Sequence, residues 1–233
     1  MGLKMIELTL QAIEDRHSIR SYIDRPIPED VKRQLEQCLA DGNEADGIDL
    51  QLFTEEPMAF GVSKLAHYGH FEGVRNYVAV IGPKGSDERC GYRGEQFVLL
   101  AQQLGLNTCW VGLTFSKKTV KTLIRLRDED ELKALIAVGY GQGHGKHHTT
   151  KSPEEICANY GASPEWVRHG VQMSILAPTA MNQQKFRFKW LGDNRVQAKK
   201  GFGFYTAIDL GIAKLHFELG AAPHIVQWVD KAP

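Results

Sequence analysis

The chain is poor in the features that mark disulfide-bonded, zinc-binding and membrane-spanning proteins. It has only four cysteines in 233 residues, and no two of them form a C-x-x-C pair. We therefore expect free thiols in a reducing compartment. No run approaches the roughly 18 apolar residues of a membrane helix, and the first residues lack an apolar signal core. These absences predict a cytoplasmic protein.

The chain also lacks an excess of charge of either sign. Lysine and arginine total 28, and aspartate and glutamate also total 28. This balance provides no overall field that would attract nucleic acid or an anionic membrane, so neither partner is expected. Hydrophobic residues make up 42% of the chain, which suffices for the core of one large domain or two small ones.

The spacing of apolar residues predicts helices and strands in mixed order. Gly42, within 41–43, is expected to end the second helix. This order favours an α+β fold over a repeated βαβ arrangement. The predicted helices cover 8–15, 28–40, 91–105, 117–126, 164–176 and 206–219, and the predicted strands cover 48–54, 74–82, 106–111, 132–140, two stretches of 185–199, and 224–229.

Two short polar segments are the best candidates for ligand binding. Arg16, Ser18 and Arg20 alternate along the chain, so an extended backbone would project all three to one side. Two guanidinium groups and a hydroxyl suit a phosphate, but a solvated basic turn explains the spacing equally well. The second segment, 177–184, is a small polar turn that leads directly into the alternating stretch 185–190.

Three other motifs give weaker signals. The glycines within 139–145 fit neither the dinucleotide nor the Walker pattern, and a flexible loop explains them better. His144, His147 and His148 have no acidic or cysteine partner at ligand spacing, so no metal site is predicted. Cys109 has no histidine to activate it, which favours a small buried residue over a nucleophile.

Four segments together resemble the FMN-dependent nitroreductase family. They are 16–28, 104–112, 137–141 and the proposed flavin-side loop 177–184. The resemblance covers most of the chain. It implies an α+β fold with three α/β/α layers around a mostly antiparallel sheet, and it implies FMN as the cofactor.

The position of the flavin-side loop is unusual for that family. In ordinary members the loop follows the first long helix, and a homodimer shares it. Here residues 38–44 have lost the proline and the glutamine, and the loop lies in the second half of the chain. The sequence therefore resembles a single-chain, internally duplicated pseudo-dimer that works as a monomer. Residues 1–160 would form the first half, and the shortened second half, 161–233, would supply the opposite flavin wall.

The resemblance also assigns roles to individual residues. Arg16 and Ser18 would hold the FMN phosphate, with Lys151 as a further basic ligand. Arg20 would place a cation beside the N1/O2 edge of the flavin and stabilise its negative charge. The remaining cofactor-binding residues are His17, the backbone of Val111 and Gly112 near flavin N5, and Ala177 of the loop. Pro178, Thr179, Ala180 and Asn182 would line the ring, and Gln184 would support the loop.

The implied function is an oxidoreductase that takes electrons from NAD(P)H and reduces nitroaromatics, quinones or similar small molecules by a ping-pong route. No protein side chain acts as a catalytic group in this scheme. The alternative is a non-catalytic flavin-binding or degenerate structural protein, since one of two ancestral sites has decayed. Residues between 55 and 73, including Phe60, His67, Tyr68 and Phe71, would either shape the pocket or form an ordinary surface loop.

Overall fold

The computed structural model describes residues 7–60, 70–143 and 145–229. His67, Tyr68 and His144 lie outside these ranges. Within them the chain alternates between helices and strands, joined by a few short 3-10 turns. The helices are α1 (Leu10–Asp15), α2 (Glu29–Asp46), α3 (Asp87–Gln103), α4 (Lys117–Leu123), α5 (Pro153–Ile156), α6 (Glu165–Ser174) and α7 (Thr206–Ala221).

The described strands form two sheets, which confirms the predicted α+β class and its mostly antiparallel pairing. The first sheet has the order β1-β2-β4-β3, and every neighbouring pair in it is antiparallel. The second sheet has the order β5-β6-β7, with β5 antiparallel and β7 parallel to β6. The strands are β1 (Asp49–Phe53), β2 (Asn76–Pro83), β3 (Asn107–Val111), β4 (Asp130–Gly139), β5 (Phe186–Trp190), β6 (Arg195–Lys200) and β7 (Gln227–Val229).

Both faces of the four-stranded sheet are buried. Side chains alternate along a strand, so Val78, Val80 and Ile136 face the cluster that includes α3, whereas Ala79 and Leu135 face the cluster that includes α4. Burial on both faces explains why β2 and the end of β4 are continuous apolar runs. Helices therefore flank this sheet on both sides.

Helix α7 packs against α3 of the first sheet's helical layer and against strand β5 of the second sheet. Gly91 of α3 and Gly211 of α7 allow the two helices to approach closely, because an added Cβ on either would collide with backbone of the other helix. The α7 side chain of Phe217 contacts Phe188 of β5 at a ring distance of 4.9 Å. One apolar cluster thus contains residues from both sides of position 160. The division into two related halves stays a prediction.

The predicted end of the second helix is wrong. Helix α2 continues through Asp41, Gly42 and Asn43 and ends at Gly47, whose backbone is left-handed with φ 63°. Gly42 is buried against the aliphatic part of Arg93, so close packing on α3 accounts for that glycine. The left-handed cap, which glycine adopts without strain, lies five residues further along.

None of the helices in the described part of the chain is long and apolar enough to cross a membrane. The exposed and buried faces of α2, α3 and α6 are instead those of helices packed on one side against a protein core.

Candidate functional site

Arg16 lies at the end of α1 and its side chain points inward. The residue is only 4% exposed, and its Nε is 3.8 Å from Glu95 Oε1 of α3. That distance is too long for a hydrogen bond, and the buried Nε has no hydrogen-bond partner among the described residues. Burial lowers the pKa of Arg16, while the Glu95 carboxylate opposes this effect. The sequence placed Arg16 at the phosphate, and the structure places it at the edge of a buried charged cluster.

Glu95 is the centre of this cluster. It is fully buried, and its oxygens accept hydrogen bonds from Trp110 Nε1 (2.8 Å) and from His216 Nε2 (3.0 Å). The other nitrogen of His216 lies 3.2 Å from the carbonyl oxygen of Met173. Both His216 nitrogens thus lie within hydrogen-bonding distance of oxygen atoms. The side chains of Arg16, Trp110 and His216 thus surround the buried Glu95 side chain.

The residues after Arg16 run beside β3 as a short parallel extension of the first sheet. Ser18 forms a bridge with Thr108, and the Ile19 N–H donates to the Thr108 carbonyl at 3.0 Å. Burial raises the pKa of the Cys109 thiol, whereas Arg20 and the Ser18 hydroxyl act in the opposite direction. Arg20 itself is exposed. The extended backbone that the Arg-x-Ser-x-Arg spacing required is present.

The flavin-side loop 177–184 is an ordered turn. Met181, Asn182 and Gln184 have positive φ angles of 52°, 52° and 44°, an unusual conformation for side chains larger than glycine. The Gln184 N–H donates to Thr179 Oγ1 at 3.1 Å, and Gln184 Nε2 donates to Asn182 Oδ1 at 2.8 Å. Gln184 is 3% exposed, which agrees with its expected role as a support of the loop.

Asp209 of α7 accepts two hydrogen bonds from the flavin-side loop. Its Oδ1 accepts the Ala180 N–H at 2.9 Å, and its Oδ2 accepts Gln183 Nε2 at 2.7 Å. Burial raises the pKa of Asp209 from 3.8 to about 6, even though these two hydrogen bonds favour the carboxylate. The loop is therefore fixed to α7 by a buried carboxylate that is costly to ionise.

The segment 147–151 joins the loop to the Arg16 region. Gln184 Oε1 accepts the Lys151 N–H at 2.8 Å, and the Lys151 ammonium donates to the Gln184 carbonyl at 3.1 Å. Asn182 Nδ2 donates to the Thr149 carbonyl at 2.9 Å. At the other end of the segment, burial and the nearby Arg16 lower the pKa of His148, whereas its bond to the Ile175 carbonyl raises it.

Gly112 follows β3 directly and faces Tyr205, the residue before α7. The Tyr205 hydroxyl donates to the Gly112 carbonyl at 2.8 Å. A Cβ at position 112 would lie 2.7 Å from the Tyr205 ring, so only glycine permits this approach. Val111 is buried beside it. The space in front of Gly112 that the sequence assigned to a flavin is thus bordered by an aromatic ring.

An open pocket of about 640 Å³ is lined by residues that include His17, Asn107 and His147. The His17 and His147 rings meet edge to face at 4.5 Å, and Glu14 and Asp15 contribute carboxylates to the wall. Burial and then His147 lower the pKa of His17. Among the described residues, no three His, Cys, Asp or Glu side chains are arranged to hold a metal.

The site residues predicted from the sequence form two groups, and segment 147–151 lies between them. Arg16, Ser18 and Arg20 lie along β3, and Ala177–Asn182 belong to the loop bonded to segment 149–151. Sequence reasoning missed Glu95, His216, Asp209 and Tyr205. A signal was present for two of them, because Asp209 and His216 are polar residues in a helix whose other residues are apolar except for Thr206, Lys214 and Glu218.

Solved structures confirm the fold. A protein described as a putative nitroreductase from Thermotoga maritima is 22% identical and superposes with a TM-score of 0.64, covering 94% of this chain and 86% of its own. A second, from Desulfovibrio desulfuricans and solved in complex with FMN, is 18% identical with a TM-score of 0.50, covering 67% of this chain and 96% of its own. No curated protein matches the chain.

The sequence itself matches one family. The family described as "Putative TM nitroreductase" aligns with residues 8–221, a range that contains the Arg16 segment, β3, the loop 177–184 and α7. The matched range covers nearly the whole chain, and the chain belongs to this nitroreductase family.

Proposed function

We propose that the protein is an FMN-dependent oxidoreductase that takes electrons from NAD(P)H and reduces small acceptors such as nitroaromatics or quinones. Membership of the nitroreductase family supports the oxidoreductase class. The FMN in the Desulfovibrio desulfuricans neighbour supports the choice of flavin. The observation that carries the proposal is the buried Nε of Arg16, which has no hydrogen-bond partner among the described residues although the Glu95 carboxylate lies 3.8 Å away.

The residues at the phosphate end fit the cofactor. A buried donor without a partner is uncommon in folded proteins, and a phosphate oxygen would satisfy it. The guanidinium group of Arg16 would also attract the phosphate by its positive charge. Ser18 adds a hydroxyl, and Lys151 adds a cation whose present partners are neutral carbonyl groups.

The residues at the ring end also fit the cofactor, except that Tyr205 lies close to Gly112. The loop residues Pro178, Thr179 and Ala180 are partly exposed and small or flat, as a wall against a planar ligand requires. Gly112 permits a close approach of its backbone, but the Tyr205 ring already makes such an approach. A flavin at this position therefore shares the space with Tyr205 or displaces it.

FMN, when bound, supplies the electron transfer between donor and acceptor. The chain positions the cofactor and sets its electrostatic surroundings. Arg16 and Ser18 fix one end of the ligand, while Asp209 and Gln184 keep the opposite wall rigid. The exposed Arg20 provides the positive charge that favours negative charge on the ring. Since the two walls belong to one chain, a monomer with one FMN is proposed, built from the halves 1–160 and 161–233.

A second function, flavin binding without catalysis, is favoured by one observation. The Tyr205 hydroxyl is bonded to the Gly112 carbonyl, and its ring occupies space that a donor or acceptor would need beside the flavin. Anaerobic addition of NADH or NADPH separates the two functions. An enzyme loses its flavin absorbance on reduction, whereas a binding protein stays yellow.

Titration of the flavin-free protein with FMN tests the site itself. We expect Arg16→Ala to weaken FMN binding by roughly 1.5–3 kcal/mol, the scale of a hydrogen bond to a charged group. Ser18→Ala should weaken it less, and Arg33→Ala on the exposed part of α2 is the matched control. Circular dichroism shows whether each variant is folded. A wild-type protein that takes up no FMN would refute the proposal.

A further inference from the structure

The chain as a whole is neutral, but one segment has a strong excess of positive charge. Residues 185–200 contain six cationic side chains and a single carboxylate, Asp193. This stretch comprises β5, the turn after it, and β6. The cations are Lys185, Arg187, Lys189, Arg195, Lys199 and Lys200.

Strand geometry places most of these cations on one side of the second sheet. Arg187 lies directly opposite Lys199 in the β5–β6 register, and residues two positions away point the same way. The intervening Phe186 and Phe188 point inward and are buried. We call the outward side the basic face. It consists of Lys185, Arg187, Lys189, Arg195 and Lys199, all exposed.

The basic face lacks ion pairs in the part of the chain that the structure describes. Within the described ranges, none of its cations forms an ion pair within 4.0 Å. The hydrogen bonds of Lys185, Arg187 and Arg195 go to backbone carbonyls. Surfaces usually intersperse both signs, so an unpaired row of this kind attracts a polyanion.

Exposed apolar side chains lie at one end of this face. Phe202 is 97% exposed and Phe204 is 90% exposed, values that are costly for aromatic rings in water. The Lys185 ammonium bonds the Phe202 carbonyl, which links their loop to the basic face. The Gln183 side chain donates to the Phe204 carbonyl, which links this loop to the flavin-side loop. Met181 of the flavin-side loop is 81% exposed. We call Met181, Phe202 and Phe204 the apolar rim.

We propose that the basic face and the apolar rim form a docking surface for an anionic lipid bilayer. Cations beside exposed rings match such an interface, where headgroups take the charges and the rings enter the acyl boundary. Single-stranded nucleic acid fits less well, because the aromatic residues interleaved with the cations on β5 are buried and provide no stacking platform. Peripheral docking needs no spanning helix.

Docking has a consequence for the substrate, and this consequence alone rests on the proposed function. Met181 belongs to the flavin-side loop, and Tyr205, next to Phe204, is bonded to Gly112. The apolar rim therefore borders the proposed flavin site. A bilayer at the rim would present acceptors dissolved in the membrane, such as lipid-soluble quinones, to that site.

Flotation with lipid vesicles tests the docking without reference to activity. The full-length protein should float with vesicles that contain phosphatidylglycerol and not with vesicles of phosphatidylcholine alone. Lys189→Gln with Lys199→Gln should weaken binding about 25-fold, at about five-fold for each cation. Phe202→Ala with Phe204→Ala should weaken it at least about ten-fold. All four side chains are exposed, so these variants should fold normally.

Matched controls lie elsewhere on the surface. Lys117→Gln with Lys118→Gln on α4 removes the same charge, and Met58→Ala removes an apolar side chain that is 56% exposed. Both controls should bind as the wild type does. Failure of the wild type to float, or equal losses in controls and test variants, would overturn the proposal. So would binding to a single-stranded oligonucleotide without binding to vesicles. Because flotation needs no flavin, these outcomes are independent of FMN uptake.

Discussion

The anchor of the flavin-side loop should make the stability of the protein depend on pH. Asp209 is 2% exposed, and burial raises its pKa from 3.8 to about 6. The folded protein therefore binds a proton more tightly than the unfolded chain does. This contribution to stability is fully present below the unfolded pKa and is lost as pH rises through the folded pKa. The window runs from about pH 4 to just above pH 6.

The magnitude follows from the two pKa values. A rise from 3.8 to about 6 corresponds to about 3 kcal/mol in total, at about 1.4 kcal/mol for each pH unit. Between about pH 4.5 and pH 7.5, the part of this window reached in ordinary buffers, about 2 kcal/mol remains. Asp209→Asn removes the titration and keeps an oxygen that can accept the Ala180 N–H.

Urea unfolding of the wild type and of Asp209→Asn at a series of pH values measures the effect. Other titrating groups, such as His17 and His148, contribute equally to both proteins and cancel in the difference. The stability of the wild type relative to the variant should fall by about 2 kcal/mol as pH rises across this range. Two curves that stay parallel within about 0.5 kcal/mol would show that Asp209 is not a buried carboxylate under strain.

Two further predictions concern the buried cluster and Gly112. Glu95→Gln should lower the free energy of unfolding by about 3–5 kcal/mol, because the buried Arg16 guanidinium loses its counter-charge; the exposed Glu14→Gln is the control, and a loss below about 1 kcal/mol would contradict the account. Gly112→Ala should destabilise the protein by driving a Cβ into the Tyr205 ring, and adding Tyr205→Ala should cost less than the sum of the single changes. Additive costs would mean that the two residues do not touch.

Much of the fold could be predicted because its strands and helices carry their own patterns. The stretch 185–190 alternates strictly, and β5 buries Phe186 and Phe188 while exposing the residues between them. The end of α2 could not be predicted in the same way. In the sequence, Gly42 is typical of the end of a helix. In the structure, its missing side chain allows α2 to pack closely against Arg93 of α3. This contact joins two helices that are distant in the sequence, so a local pattern could not predict it.

The candidate site was only partly visible in the sequence for the same reason. The motif of Arg16 and Ser18 is local, and its extended backbone along β3 matches the spacing. Glu95 and His216 are 121 residues apart and become one cluster only when α3 and α7 pack together. The overall charge balance likewise hid the basic face, because a sum over the chain contains no information about which side of a sheet a residue occupies.

Sedimentation of the flavin-loaded protein, followed by absorbance of the flavin, tests the central claim most directly. The claim is that one chain holds one FMN between the Arg16 segment and the loop 177–184. It predicts flavin that sediments with a particle of a single chain, at one FMN per chain. Flavin that sediments only with a two-chain particle, and is released when that particle dissociates, would contradict it.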